Sequence, residues 1–193
     1  MQRKIFLIEA HPDAGAGHYG DALADAYAAG AEQGGHSIDR LRLNSIEFPL
    51  LKSASEWRDG EPPADIARAQ QAVRAADHVV LFYPLWLGDM PALLKAFLEQ
   101  LLRPAFAFTE PKGKLPEQLL KGRSARIVVT MGMPALAYRL FYRAHSVRSM
   151  KRNILHFSGI RPVRTSLVGT VEGKPKHRQA WLERMHGLGH SGR

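Results

Sequence analysis

The chain has 193 residues, 45% hydrophobic and 23% charged, enough for one domain with a sizeable core. It contains no cysteine, which excludes disulfides, thiolate metal sites, iron–sulfur clusters and cysteine nucleophiles. The formal net charge of +9 is uneven: residues 1–120 hold 12 Lys/Arg against 16 Asp/Glu, whereas residues 121–193 hold 15 against 2.

From the N-terminus, "RKIFLIEA" (Arg3 to Ala10) is a short apolar run that meets Pro12 and a glycine cluster, and it reads as a buried strand. It lacks the length of a membrane span and the layout of a signal peptide, so a cytoplasmic protein is expected. Tyr19 to Gly34 is an alanine-rich helix with Leu23, Ala26, Tyr27 and Gly30 on one face, stopped by Gly34-Gly35. Ser37 to Leu43 alternates as a half-buried strand, and a long connection is expected from Asn44 to Pro63. A helix begins at Ala64 behind two prolines, and His78 to Tyr83, closed by Pro84, is a strand covered on both faces. Met90 to Leu102 is a helix with Leu94, Phe97, Leu98 and Leu101 at helical spacing. Ser124 to Thr130 is a buried strand, Leu136 to Phe157 is mostly helical, Pro162 to Gly169 is a strand, and Lys174 to Leu188 is a helix.

Strict strand–helix alternation predicts a doubly wound α/β domain over residues 1–193: a five-stranded parallel sheet with helices on both faces. Ligands of such sheets sit beyond the carboxyl ends of the strands, at the switch in strand order. Three segments rich in chemistry follow three strand ends, Ala10 to Gly20, Tyr83 to Pro91 and Thr130 to Tyr138, so a shared site is expected there. The basic last third shows neither aromatic interleaving nor a helix-turn-helix pattern, and no nucleic-acid partner is expected. It suits a rim that attracts a phosphorylated cofactor, or a solvated face.

The stretch "EAHPDAGAGHYGDA", Glu9 to Ala22, admits three readings. His11-Pro12-Asp13 fits part of the zinc signature A-H-P-D-D of a deacetylase family, but Ala14 stands where the second aspartate ligand belongs, so no metal is expected. Gly15 to Gly20 fits G-x-G-x-x-G, yet the glycines begin late after the strand and "RLRLNS" lacks the acidic residue that would bind a ribose. What remains is a phosphate cradle: turning glycines, Gly17 among them, that lead through His18 and Tyr19 into a helix N-terminus, with His11 and His18 able to add donors or charge.

"FYPLWLGDMPALLKAFLEQLLRPAFAF", Phe82 to Phe108, names a family. With "HPD", "AADHVVLFYPLW", the Thr130-Met131-Gly132 loop, Tyr138, His145 and "NILHFSGIRPV" in order, the chain resembles the flavodoxin-like NAD(P)H:quinone oxidoreductases. The resemblance implies a flavin, FMN or FAD, with FMN favoured because no extra segment is evident to hold an adenosine. NAD(P)H is the implied electron donor, a quinone or similar flat acceptor the second substrate, and the cycle a ping-pong one. It places Pro84, Leu85, Trp86 and Leu87 along the edge of the ring system, and Thr130, Met131 and Gly132 at its N1/O2 region. The family's loop carries two glycines after threonine, whereas this chain has "TMGMP", so Met131 and Met133 are expected to make the cavity more apolar. Tyr138 and His145 match residues proposed to handle charge and protons. Phe108 matches an aromatic that lines the partner subunit's pocket, which implies a homodimer. The serine, aromatic and asparagine usual in the phosphate loop stand here as His18, Tyr19 and Gly20. A second reading from the same resemblance is a flavin-binding ancillary subunit of a potassium-efflux transporter, touching a membrane protein through its basic surface.

Overall fold

The computed structural model describes residues 1–15, 17–110 and 115–193; Ala16 of the glycine stretch lies outside them. Five strands, β1 (Lys4–Glu9), β2 (Ser37–Arg42), β3 (His78–Pro84), β4 (Ser124–Thr130) and β5 (Val163–Val168), pair in the order β2-β1-β3-β4-β5, all parallel. The order reverses between β1 and β3, so the gap beyond their carboxyl ends is the switch point at which such sheets bind ligands.

The inner strands are buried on both faces, which is why "KIFLIE" and "HVVLFY" carry almost no polar alternation. Edge strand β2 buries only Leu41 fully. One face packs against α3 (Ala64–Ala75) and α4 (Ala92–Leu101), with Phe6, Ile8, Leu81, Ile127 and Phe97 in a common core. The other packs against α1 (Tyr19–Gln33) and α7 (Pro175–His190), with Leu7, Tyr27, Val80, Phe82 and Met185. The two helices α1 and α7 touch backbone to backbone. A Cβ on Gly30 would lie 2.0 Å from the carbonyl oxygen of His186, and one on Gly189 would lie 1.9 Å from that of Tyr27. Glycine is therefore required at both positions for α7 to lie this close.

The structure sharpens two expectations. The connection 44–63 is not featureless: it holds a 3₁₀ turn (Leu43–Ser45) and helix α2 (Ala54–Asp59). The signal was present in "SASE", a capping box: Ser53 Oγ accepts the Glu56 amide at 3.1 Å, while Glu56 Oε2 accepts the Lys52 amide at 2.9 Å. Nor is 136–157 one helix. It divides into α5 (Ala135–Leu140), α6 (His145–Ser149) and a π-helical turn (Met150–Leu155), because Arg143 and Ala144 have φ of 52° and 46°. That left-handed pair interrupts the hydrogen-bond ladder in a segment whose apolar spacing alone reads as continuous helix.

Candidate cofactor site

Three loops meet at the switch point. After β1, the chain turns through His11, Asp13 and Gly15 to Gly17, whose φ of +93° requires glycine. His18 is the N-cap of α1; its carbonyl accepts the amides of Asp21 (3.1 Å) and Ala22 (3.4 Å), so the amides without an intrahelical acceptor are the first ones, those of the cleft-lining residues Tyr19 and Gly20. The turn is held by its own polar groups: the Asp13 amide donates to His11 Nδ1 (3.2 Å), the Gly15 amide to Asp13 Oδ1 (2.8 Å), and Asn44 Nδ2 to the Asp13 carbonyl (2.9 Å). That Gly15 hydrogen bond is the main reason the Asp13 carboxyl titrates below its usual range.

The imidazoles of His11 and His18 stack with centroids 3.7 Å apart and planes 19° from parallel, and Trp86 stands edge-on to His11 at 5.8 Å. Burial, followed by repulsion from His18, pushes the pKa of His11 down. His18 Nε2 lies 3.1 Å from Asp13 Oδ2, an ion-pair distance but off the line of a hydrogen bond. Tyr19 is pinned to α7, its hydroxyl donating to the Arg178 carbonyl at 2.7 Å beneath the Arg178 guanidinium, 4.8 Å from the ring.

After β3, Trp86 and Asp89 exchange both backbone hydrogen bonds at 2.9 Å around Leu87 (φ 48°) and Gly88 (φ 81°), a two-residue hairpin turn. Its geometry thrusts Leu87 wholly into solvent and leaves Trp86 half exposed. After β4, the Met131 amide donates to the Val168 carbonyl at 2.9 Å, and open space surrounds Gly132 where a side chain would stand. The two loops are joined by the Leu85 amide, which donates to the Thr130 carbonyl at 2.8 Å.

Together these groups line a cleft of about 350 Å³ with His11, His18, Tyr19, Pro84, Leu85, Trp86, Thr130, Met131 and Gly132 in its walls. That size suits a small planar ligand. Through His11, His18 and Tyr19 it continues into a second recess of about 400 Å³, bordered by Gly17, Glu9, Arg42, Asn44 and Arg178. The residues fit a flavin: an anion-holding helix start at one end and a flat, partly apolar slot at the other.

Met131 reaches the cleft only in part, and the remaining expected residues lie outside its walls. Met131 packs mostly into the core, and Met133 is half-buried, its carbonyl accepting the Thr170 amide at 3.1 Å. Tyr138, expected beside the ring, is fully buried behind the loop, its hydroxyl 2.5 Å from Ser146 Oγ. His145 is exposed on the neighbouring turn, with Nδ1 3.0 Å from the Tyr142 carbonyl and Cε1 3.9 Å from where a Cβ of Gly88 would stand. Phe108 is outside the cleft: it borders a separate apolar groove of about 410 Å³ with Trp57, Leu98 and Phe157.

Sequence reasoning passed over Glu9, Arg40 and Arg178. Glu9 is buried, its Oε1 accepting from Arg40 Nε (3.1 Å) and Nη2 (2.8 Å), and Arg40 Nη2 also meets Asp25 at 2.7 Å. A carboxylate within the apolar run "KIFLIE" was the available signal. Arg178 gave none, because 159 residues separate it from Tyr19.

A family model described as the flavodoxin-like fold matches residues 3–187. An uncharacterized NAD(P)H oxidoreductase of Haemophilus influenzae is 28% identical over 182 residues, covering 92% of this chain and 89% of its own. An FMN-dependent NADH:quinone oxidoreductase of Ruegeria pomeroyi is 28% identical over 67% of this chain and 71% of its own. The solved structure of an NAD(P)H:quinone oxidoreductase from Methanothermobacter marburgensis superposes with a TM-score of 0.84 over 100% of both chains, at 22% identity. With 185 of its residues inside that family model, the chain belongs to the flavodoxin-like fold family.

Proposed function

We propose that this protein is a flavin-dependent NAD(P)H:quinone oxidoreductase that binds FMN at the β1/β3 switch point. The observation that carries this reading is the continuity of an anion-holding helix start with a flat slot between Trp86 and Gly132. The oxidoreductase names of relatives matched along most of the chain support it. A bound flavin supplies a two-electron hydride acceptor that can pass the pair on to a quinone.

The chain's own residues orient and shield. Amides at the start of α1, with His11 and His18, hold the phosphate. Pro84, Leu85 and Trp86 exclude water from one edge of the ring, and the loop backbone at Gly132, beyond the Met131 amide that is committed to Val168, stabilises negative charge at the other. His145, beside the Gly88 turn, handles the proton that accompanies reduction, and Tyr138 acts behind it by position, through Ser146. NAD(P)H and the acceptor use the same open face in turn.

The fold is read as one domain over residues 1–193, acting as a homodimer in the cytoplasm. Support for a second copy comes from exposed apolar side chains, Leu87, Leu136, Leu140 and Phe141, and from Phe108 at its apolar groove. No helix among the described residues is long and apolar enough to cross a membrane. An ancillary role on a potassium-efflux transporter is the less favoured reading, because the matches spanning most of the chain carry enzyme names.

The test is spectroscopic. The purified protein is yellow, bleaches with NADPH and regains its colour with menadione; a protein that cannot be loaded with either FMN or FAD ends the proposal. Tight flavin without turnover selects the ancillary role.

A further inference from the structure

We propose that His18 is the phosphate-recognising cation of this chain, an imidazolium charged by one proton taken up as the cofactor's phosphate enters. The inference rests on the flavin reading above and concerns a position where the resembling family usually has serine.

The geometry chooses between the two stacked rings. His11 Nδ1 already accepts the Asp13 amide, so the proton of neutral His11 sits on Nε2, and a second one on Nδ1 would break that bond. His11 is also disfavoured as a cation, through burial and its neighbour. His18 Nε2, by contrast, has no hydrogen-bond partner among the described residues and lies 3.1 Å from Asp13 Oδ2, so a proton added there breaks no existing bond and gains an ion pair. Stacked 3.7 Å apart, the two rings accommodate one charge far better than two.

The surrounding charges explain why a proton is needed. From β1 and β2, Glu9 faces Arg40 and Arg42, and from α1 Asp25 meets the same Arg40, so these groups largely neutralise one another. What remains around the pair is Asp13 of the loop, Asp21 of α1 and Glu172 before α7, against Arg178 of α7. Tyr19 and Asn44 are the neutral polar neighbours. With both imidazoles neutral, the cradle is net negative, an unfavourable place for a phosphate that is mostly dianionic at neutral pH. One proton on His18 supplies a cation next to the first amides of α1 and compensates Asp13.

The experiment measures binding rather than turnover. Apoprotein is titrated with FMN and with riboflavin, which lacks the phosphate, from pH 6.5 to 8.5 by quenching of flavin fluorescence. Calorimetry of FMN binding in buffers of different ionisation enthalpy counts the protons. Wild-type FMN affinity falls with rising pH, approaching about tenfold per unit where one proton is linked, with close to one proton taken up; riboflavin affinity stays flat. In His18→Gln, shown to be folded by circular dichroism, FMN binding is weaker at pH 6.5 and loses its slope and proton uptake. An FMN affinity flat across this range in wild type, an equal slope for riboflavin, or an unchanged slope in H18Q overturns the proposal while leaving flavin binding intact. If neither FMN nor riboflavin binds at any pH, the flavin reading itself fails.

Discussion

The hydroxyl of Tyr138 and the Oγ of Ser146 sit 2.5 Å apart in the core, joining α5 to α6 across the left-handed residues Arg143 and Ala144. Both residues are buried, so neither hydroxyl has water as an alternative partner. Removing one leaves the other unsatisfied, at a cost of about 1–3 kcal/mol. Tyr138→Phe and Ser146→Ala are each expected to destabilise by about that much, and the double variant by little more than either, because one shared bond is lost. Urea denaturation of all four proteins checks this. Direct contact of Tyr138 with the reacting ring would instead lower kcat in Tyr138→Phe well beyond the effect of Ser146→Ala.

The glycine contact between α1 and α7 is expected to be intolerant. Gly30→Ala places a methyl 2.0 Å from the His186 carbonyl, and since that neighbour is helix backbone, α7 must shift. Overpacking of this kind costs about 1–3 kcal/mol. The same shift displaces Arg178 from Tyr19, so FMN affinity falls together with stability. Gly187→Ala, in open space on the same helix, leaves both nearly unchanged. Denaturation midpoints and fluorescence titrations separate the two variants.

His78 predicts acid sensitivity at the opposite end of the sheet. It is 2% exposed, its Nδ1 is 2.8 Å from Ser124 Oγ, and burial, with Arg3 and Arg126 nearby, pushes its pKa down from the usual 6.5 to about 4. The folded protein therefore resists a proton that the unfolded chain accepts. Its contribution is complete above about pH 6.5 and is lost as the pH falls towards 4, a decline on the order of 3 kcal/mol. His78→Gln is expected to show a smaller loss of stability over that interval in urea titrations at pH 7, 5.5 and 4.5.

Leu87 holds a left-handed conformation that a leucine adopts only under strain. Leu87→Gly is expected to stabilise the fold, or leave it unchanged, by relieving a strain of about 1 kcal/mol. It also removes an exposed apolar side chain from the mouth of the cleft, so KM for menadione rises while FMN affinity holds. Steady-state kinetics beside a thermal melt distinguish these effects.

Arg139 and Arg143 are exposed on and just after α5, on the strongly basic last third of the chain. Replacing both with alanine is expected to raise KM for NADPH more than for NADH, because the extra phosphate loses its attraction. The difference should shrink at high salt. Equal effects on both nucleotides would assign these arginines to the solvated surface.

The sequence by itself determined the architecture. Apolar runs such as "HVVLFY", closed by Pro84, can only be strands covered on both sides, and their alternation with helices forces crossover connections and hence a parallel sheet. It also pointed to the switch point as the candidate site, because the ends of parallel strands and the helix start after Gly17 are where backbone donors stand free. Tertiary structure decided what local pattern does not encode. Apolar spacing in 136–157 is that of a helix, and only packing reveals that Arg143 and Ala144 break it and bury Tyr138 against Ser146. Glu9 meets Arg40 across neighbouring strands, and Tyr19 meets Arg178 across 159 residues, because the sheet and the glycine contact of α1 with α7 bring them together. The stack of His11 on His18 is likewise a product of the turn between them: seven positions apart, they share no helical or strand register, and the polar groups of Asp13 fold one ring onto the other.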